Sequence, residues 1–169
     1  TPAVVAEKLV KRSYSKSNIT VFERMGNQAE RCIRGEAANW PKGNFDPLHT
    51  IAVECIADPL CAARPRLSCL DDSIFLHDGK ITKQEIRSIV ITSLAPAPGQ
   101  LLWDIGAGCG SISIEWMRRD RRLRAIAIEH NEDRLQLIAK NAIALGTPNL
   151  KIVKGYAPAV LPNLETPDA

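Results

Sequence analysis

Leu101-Leu102-Trp103-Asp104-Ile105-Gly106-Ala107-Gly108-Cys109-Gly110, followed at once by Ser111-Ile112-Ser113-Ile114-Glu115-Trp116-Met117, decides how this chain is read. A short apolar run closes on an acid, three glycines alternate with other residues, and Ile112/Trp116 and Ser113/Met117 then recur four apart, as on one helix. The stretch reads as strand, glycine turn, helix. So tight a turn needs glycine to take positive φ and to let the backbone stand close to a ligand, and the helix that follows aims N–H groups into the same space. A small nucleotide-like molecule suits such a site; the alternative is an ordinary strand-to-helix turn with no ligand.

The glycine spacing narrows the ligand. Dinucleotide folds use G-x-G-x-x-G to rest a pyrophosphate on the helix N-terminus. Here the pattern is D-x-G-x-G-x-G, and Ser111 stands where a dinucleotide site has its third glycine. The pattern resembles the first motif of Rossmann-type S-adenosylmethionine-dependent methyltransferases, whose ligand presents a methionine carboxylate and amine rather than a diphosphate.

Composition sets outer bounds. With 169 residues, 45% hydrophobic and 24% charged, the chain has a soluble globular composition and room for one domain and part of another. No apolar run approaches the length of a membrane span. Five cysteines without a C-x-x-C pair, among three scattered histidines, fit reduced thiols in the cytoplasm and no metal site. A net charge of +3 is too small to argue for nucleic acid.

Before the glycine turn, Pro2 to Arg12 has helical composition with Val4, Val5, Leu9 and Val10 on one side, and Asn18 to Glu23 reads as a strand that Gly26 breaks. Glu30 to Trp40 is expected to be helical and His49 to Ile56 a second strand. Residues 59–79, with Pro59, Pro65, Asp71-Asp72 and Gly79 and no periodicity, are expected to be a linker. Its cysteines Cys61 and Cys69 read as small buried residues. Thr82-Lys83-Gln84-Glu85 then has the form of a capping box, with Ile86, Ile89, Val90 and Leu94 as the apolar face of its helix.

After the turn, Leu123 to Ile128 is a buried strand ending in Glu129, and Asn131 caps a helix built on Leu135, Ile138, Ala139, Ala142 and Leu145 that Gly146 ends. Leu150 to Val153 is the next strand, followed by Gly155-Tyr156-Ala157-Pro158. Alternating strands and helices predict an α/β fold with a parallel, doubly wound sheet. Glu129, nineteen residues past Gly110, is placed to accept both ribose hydroxyls of an adenosine. Gly155 to Ala157 falls where such folds wall the adenine ring.

These residues carry a more specific resemblance. Leu76-His77-Asp78-Gly79-Lys80-Ile81-Thr82-Lys83-Gln84-Glu85-Ile86-Arg87, the run Leu102 to Trp116 and Gly155-Tyr156-Ala157-Pro158 resemble the C-terminal half of the precorrin-6Y C5,15-methyltransferase (decarboxylating) family of cobalamin biosynthesis. Val21-Phe22-Glu23-Arg24-Met25-Gly26, Glu30-Arg31 and Thr50 to Cys55 are similar to the end of that family's other half, a tetrapyrrole methylase domain. The resemblance implies a remnant of an α/β methylase domain at 1–58, a linker at 59–79, and strands one to three of a Rossmann-type methyltransferase domain at 80–169. It implies methylation of a precorrin-6-type tetrapyrrole at C5 and C15, with loss of carboxylate from an acetate side chain.

The cofactor so implied is S-adenosylmethionine, leaving as S-adenosylhomocysteine. Carried over residue by residue, Gly106, Ala107, Gly108, Cys109 and Gly110 cradle its methionine end, Asp104 holds its amine, Glu129 takes the ribose, Ala157 lies at the adenine, and Thr82 opens onto the cofactor. Tyr156 departs from the small or acidic residue expected there. The implied partner is a small-molecule tetrapyrrole, in a cytoplasmic homo-oligomer without nucleic acid, membrane or metal.

No nucleophile-histidine-acid arrangement is present, and methyl transfer from a sulfonium requires none, so no catalytic residue is assigned. His77 reads as a structural loop histidine. Arg118, Arg119, Arg121, Arg122 and Arg124 read as a solvated face, since they crowd the sheet edge away from where ligands sit. The alternatives are a methyltransferase acting on protein or nucleic acid through the same cofactor site, and a nucleotide-binding module without turnover. The chain is further expected to be a fragment, inactive alone, with parallel strands in the order 3-2-1 and the edge of the first strand bare or covered by something other than its proper neighbour.

Overall fold

The computed structural model describes residues 1–58, 64–66 and 69–169; Cys61 and the greater part of 59–68 lie outside the described residues. Two compact units, Thr1–Ala63 and Arg64–Ala169, each carry their own core.

In the first unit, helix α1 (Pro2–Lys11) opens on a proline, whose missing N–H is not needed in a first turn, and carries Lys8 and Lys11 at its negative end. Strands β1 (Asn18–Glu23), β2 (Arg31–Glu36) and β3 (His49–Glu54) form an antiparallel sheet in the order β2-β1-β3, with Val21 opposite both Ile33 and Ile51. Ala6, Ile19, Val21 and Ala37 are the centre of its core. The expected helix at Glu30 to Trp40 is corrected: it is β2 followed by a single 3-10 turn at Ala37–Asn39. Strand pairing overrides the local pattern here. Arg31 sits opposite Glu23 on β1 and its Nε donates to that buried carboxylate at 2.7 Å.

The second unit is built on β4 (Leu101–Ile105), β5 (Arg124–Glu129) and β6 (Lys151–Lys154), parallel and in the order β4-β5-β6, as expected. The doubly wound arrangement is not seen over these three strands, because helices α2 (Gln84–Leu94), α3 (Ser111–Arg119) and α4 (Glu132–Ala144) all supply side chains to one face of the sheet. Period-two alternation divides the strands: Leu102, Ala125 and Ala127 face the helices, while Leu101, Ile126 and Ile128 pack with Val160, Leu161 and Leu164 on the other side.

The β4 edge is not bare. Ala169 N–H donates to the Leu101 carbonyl at 3.3 Å and Trp103 N–H to the Ala169 carbonyl at 2.9 Å, the pattern of a parallel pair with Leu102 opposite Ala169. Asp168 and Ala169 thus lie alongside β4 on this edge.

Two further expectations are corrected around α2. The capping box does not form: the cap position is Lys83, with no side-chain cap bond, which moves Glu85 to the second helical residue and out of reach of its reciprocal bond. The buried face is also turned, since Ile86 and Ile89 are exposed while Arg87 and Ile91 are buried. Finally, residues 69–79 do not run free, because Cys69, Leu70 and Phe75 belong to the helix-side core. Residues 69–82 form a strap laid against α2, α3 and α4. No helix among the described residues is long and apolar enough to cross a membrane.

Candidate functional site

The glycine loop begins where β4 ends. Gly106 and Ala107 donate their N–H groups to the Ile128 carbonyl on β5 at 2.8 and 3.0 Å, and Gly110 N–H closes back onto the Ala107 carbonyl at 2.8 Å. Gly108 and Gly110 have φ of +59° and +81°, a region costly to residues with a Cβ. Their surroundings differ. A Cβ on Gly108 would meet nothing within 4 Å, whereas one on Gly110 would sit 3.1 Å from Ile138 of α4. Gly108 is thus a glycine facing open space, as is Gly106, while Gly110 is a glycine of packing.

Two acids hold the loop and the helix that follows it. Glu129, 2% exposed at the end of β5, accepts from Gly108 N–H at 3.0 Å through one oxygen and from His130 and Asn131 N–H at 2.9 and 3.0 Å through the other. Burial works against its charge, but the three N–H bonds and His130, whose Nδ1 is 3.1 Å away, outweigh it and hold the carboxyl below the ordinary glutamate range. Asp104 accepts from both the N–H and the hydroxyl of Ser113 at 3.0 and 2.5 Å, capping the first turn of α3 from the neighbouring strand. For Asp104 burial wins: it pushes the pKa up despite the Ser113 bonds, and the charge of Glu129 adds to the effect. The N–H groups of Gly108 and Ser113 are therefore committed to these acids.

Of the expected site residues, Thr82, Gly106, Ala107, Gly108 and Cys109 come together around one cleft of about 350 Å³. Gly110, packed against Ile138, and the two acids do not line it: Glu129 reaches it through its bond to Gly108 N–H, while Asp104 bonds Ser113 of α3. Ala157 is in the turn after β6, where the adjacent Tyr156 stacks on His130 with ring centroids 4.4 Å apart. That stack joins the β6 turn to the end of β5.

Lys80, Ile81, Ser111 and Arg134 also line the cleft and were not anticipated from the sequence. The Asn131 cap, whose Oδ1 accepts from Arg134 N–H at 3.1 Å, was the available signal for Arg134, since it places that residue in the first turn of α4 just past Glu129. Its Nε donates to Asp78 of the strap at 2.8 Å. His77 acts locally, its Nδ1 accepting from Gly79 N–H at 3.0 Å. The arginines in the last turn of α3 and beyond it are largely engaged elsewhere, Arg122 with Asp120, Arg124 with Glu165, and Arg118 with the carbonyls of Leu145 and Pro65.

Parallel strands of which the first runs into a glycine loop, an acid at the end of the second strand, and a strap beside the loop define the start of a Rossmann-type methyltransferase domain. The chain belongs to the precorrin methyltransferase domain family, whose model matches residues 73–169. It is 44% identical over 168 residues to a Sinorhizobium sp protein named precorrin-6Y C(5,15)-methyltransferase [decarboxylating], a match covering 99% of this chain and 41% of the relative. It is 32% identical over 94 residues to the cobalt-precorrin-6B C(15)-methyltransferase (decarboxylating) of Salmonella typhimurium, covering 54% of this chain and 49% of that protein. The crystal structure of the C-terminal domain of precorrin-6Y C5,15-methyltransferase from Rhodobacter capsulatus superposes with a TM-score of 0.58 at 43% identity, over 62% of this chain and 56% of that one. The chain thus spans two fifths to one half of the length of the relatives it matches.

Proposed function

We propose that the second unit binds S-adenosylmethionine, and that the protein acts as a C-methyltransferase of cobalamin biosynthesis on a precorrin-6-type tetrapyrrole. On this reading the whole enzyme methylates C5 and C15 and removes the carboxylate of an acetate side chain, the C15 step and the decarboxylation belonging to residues 80–169. Residues 1–58 are then the end of a tetrapyrrole methylase domain. Free cysteines and the absence of a membrane-crossing helix among the described residues agree with a cytoplasmic enzyme.

The observation that carries the reading is the loop itself: Gly106 and Gly108 face open space, and the Gly108 N–H is held by a buried, charged Glu129. A cradle whose Cβ positions are empty fits a ligand that lies against the backbone. Glu129 is the acceptor for a ribose diol, Thr82 and Gly106 to Cys109 surround the methionine end with Gly110 packed behind them, Asp104 supports the amine side, and Ala157 adjoins the adenine.

The bound sulfonium supplies an activated methyl group. The chain's own residues hold the cofactor in one pose, keep water from the cleft and present the methyl in line with an electron-rich ring carbon. A fixed backbone cradle suits all three, and none of them needs a strong base. Calorimetric titration of the chain with S-adenosylhomocysteine and with NAD tests the assignment. S-adenosylhomocysteine is expected to bind tighter; tighter NAD binding overturns the cofactor, and binding of neither favours a module without turnover.

A further inference from the structure

Asn141 lies in the last turn of α4 and is 1% exposed, where a polar side chain costs free energy unless its atoms are bonded. All of its bonds go outside its own helix. Its Oδ1 accepts from Leu76 N–H at 2.8 Å, and its Nδ2 donates to the Leu76 carbonyl at 2.8 Å and to the Cys109 carbonyl at 3.0 Å. The orientation of the amide is fixed by chemistry, because a backbone N–H and a carbonyl of the same residue require an acceptor and a donor respectively. One carboxamide thus pairs with the strap as a neighbouring strand would, and at the same time holds a carbonyl in the middle of the glycine loop.

Arg134 lies seven residues before Asn141, two turns earlier on the same face of α4, and ties Asp78 of the strap at 2.8 Å. The strap section between these ties leads directly into Lys80, Ile81 and Thr82, which wall the cleft opposite Gly106 to Cys109. The two walls are therefore referenced to one helix through Asn141. Packing alone gives no reason for an amide here, since the neighbouring buried positions on α4 are Ile138 and Ala142.

We propose that Asn141 is a positioning residue of the cofactor cleft, locking Leu76 of the strap to Cys109 of the glycine loop so that both walls are set before the cofactor enters. The inference rests on the cofactor reading above for its effect on binding, but not for its effect on the loop. Preorganisation of this kind lowers the ordering cost of binding and appears in affinity rather than in chemistry.

The test uses the 169-residue chain as Asn141→Asp and Asn141→Leu, with Leu150→Ala as a core variant away from the cleft. Asn141→Asp keeps shape and the acceptor for Leu76 N–H but loses both donated bonds. Two quantities are measured: amide exchange of Gly108 and Gly110 without ligand, and the affinity for S-adenosylhomocysteine. Either Asn141 variant is expected to speed both exchanges at least about tenfold and to weaken binding about tenfold, the equivalent of about 1.4 kcal/mol, while Leu150→Ala leaves both within about twofold. Unchanged exchange in the Asn141 variants, or an equal change in Leu150→Ala, overturns the proposal. Should both variants fail to fold, the wild-type chain decides: the Asn141 carboxamide protons and the Gly110 amide should share one opening constant, and unequal constants overturn it. A wild-type chain that binds no S-adenosylhomocysteine defeats the cofactor reading, and the exchange data still judge Asn141.

Discussion

At the scale of single residues, the glycines of the loop separate by what their missing side chains leave room for. Gly108→Val is expected to fold, because its Cβ meets open space, while carrying about 1–2 kcal/mol of backbone strain from its positive φ. The branched side chain would stand in the cleft, so binding of S-adenosylhomocysteine should be lost by titration calorimetry; normal binding would show that the cleft is not the site. Gly110→Ala has the opposite profile. Its Cβ would press on Ile138 at 3.1 Å, so melts should show a stability loss that Gly108→Val does not share in kind.

Glu129 gives a residue-level prediction in pH. Its folded pKa is lowered, so its contribution to stability is complete above the ordinary glutamate value and is lost as pH falls through the lower folded value. Asp104 has the opposite sign, since its raised pKa makes its charge a cost at neutral pH that acid relieves. Comparing wild type with Glu129→Gln removes the Asp104 contribution except for the smaller part that the Glu129 charge adds to it. The variant should lose about 1–3 kcal/mol at neutral pH, because an amide oxygen cannot serve all three N–H donors, and the gap should close in acid. A gap that stays constant between neutral and strongly acidic pH would rule this out. Both acids and all three glycines were legible in the sequence, because their chemistry rests on spacing within one strand and one turn. Asn141 and Arg134 were not, because their partners lie 65 and 56 residues away.

At the scale of elements, α2 shows why a correct helix can be given the wrong face. Arg87 is wholly buried: its guanidinium donates to the carbonyls of Leu70 and Thr82 and to Asp72, and it stacks 4.8 Å from the Phe75 ring. Its Nε is 3.7 Å from Glu115, which is equally buried and accepts from Leu70 N–H at 2.6 Å. Hydropathy placed Ile86 and Ile89 inside, but the strap brings so many acceptors to one side of the helix that the arginine is drawn in and the isoleucines turn out. The misread β2 has the same kind of cause, a partner strand that local propensity does not contain. Arg87→Met should destabilise the chain by about 3–5 kcal/mol, because it leaves Glu115 buried without its counter-charge. Adding Glu115→Leu should recover a large part of that loss in denaturant melts; a double variant no more stable than the single one would show that the pair does not act as a unit.

At the scale of the whole chain, the two units have separate cores, and the candidate cleft draws every residue from the second. A ligand that binds only the folded second unit stabilises that unit by RT ln(1 + [L]/Kd), about 2.7 kcal/mol at a hundredfold excess over Kd. The first unit has no share in that linkage. Calorimetry is therefore expected to show two unfolding transitions, of which S-adenosylhomocysteine raises one. The tryptophans identify which: Trp40 packs with Phe45 in the first unit, while Trp116 is buried in the second and donates to the Arg124 carbonyl at 3.0 Å, and Trp103 lies on β4 of the same unit. Trp40→Phe leaves Trp103 and Trp116 as the fluorescent reporters, so fluorescence of that variant should follow the transition that moves. A ligand that shifts both transitions equally, or a moving transition that this fluorescence does not follow, would mean that binding is not confined to the unit that carries the glycine loop.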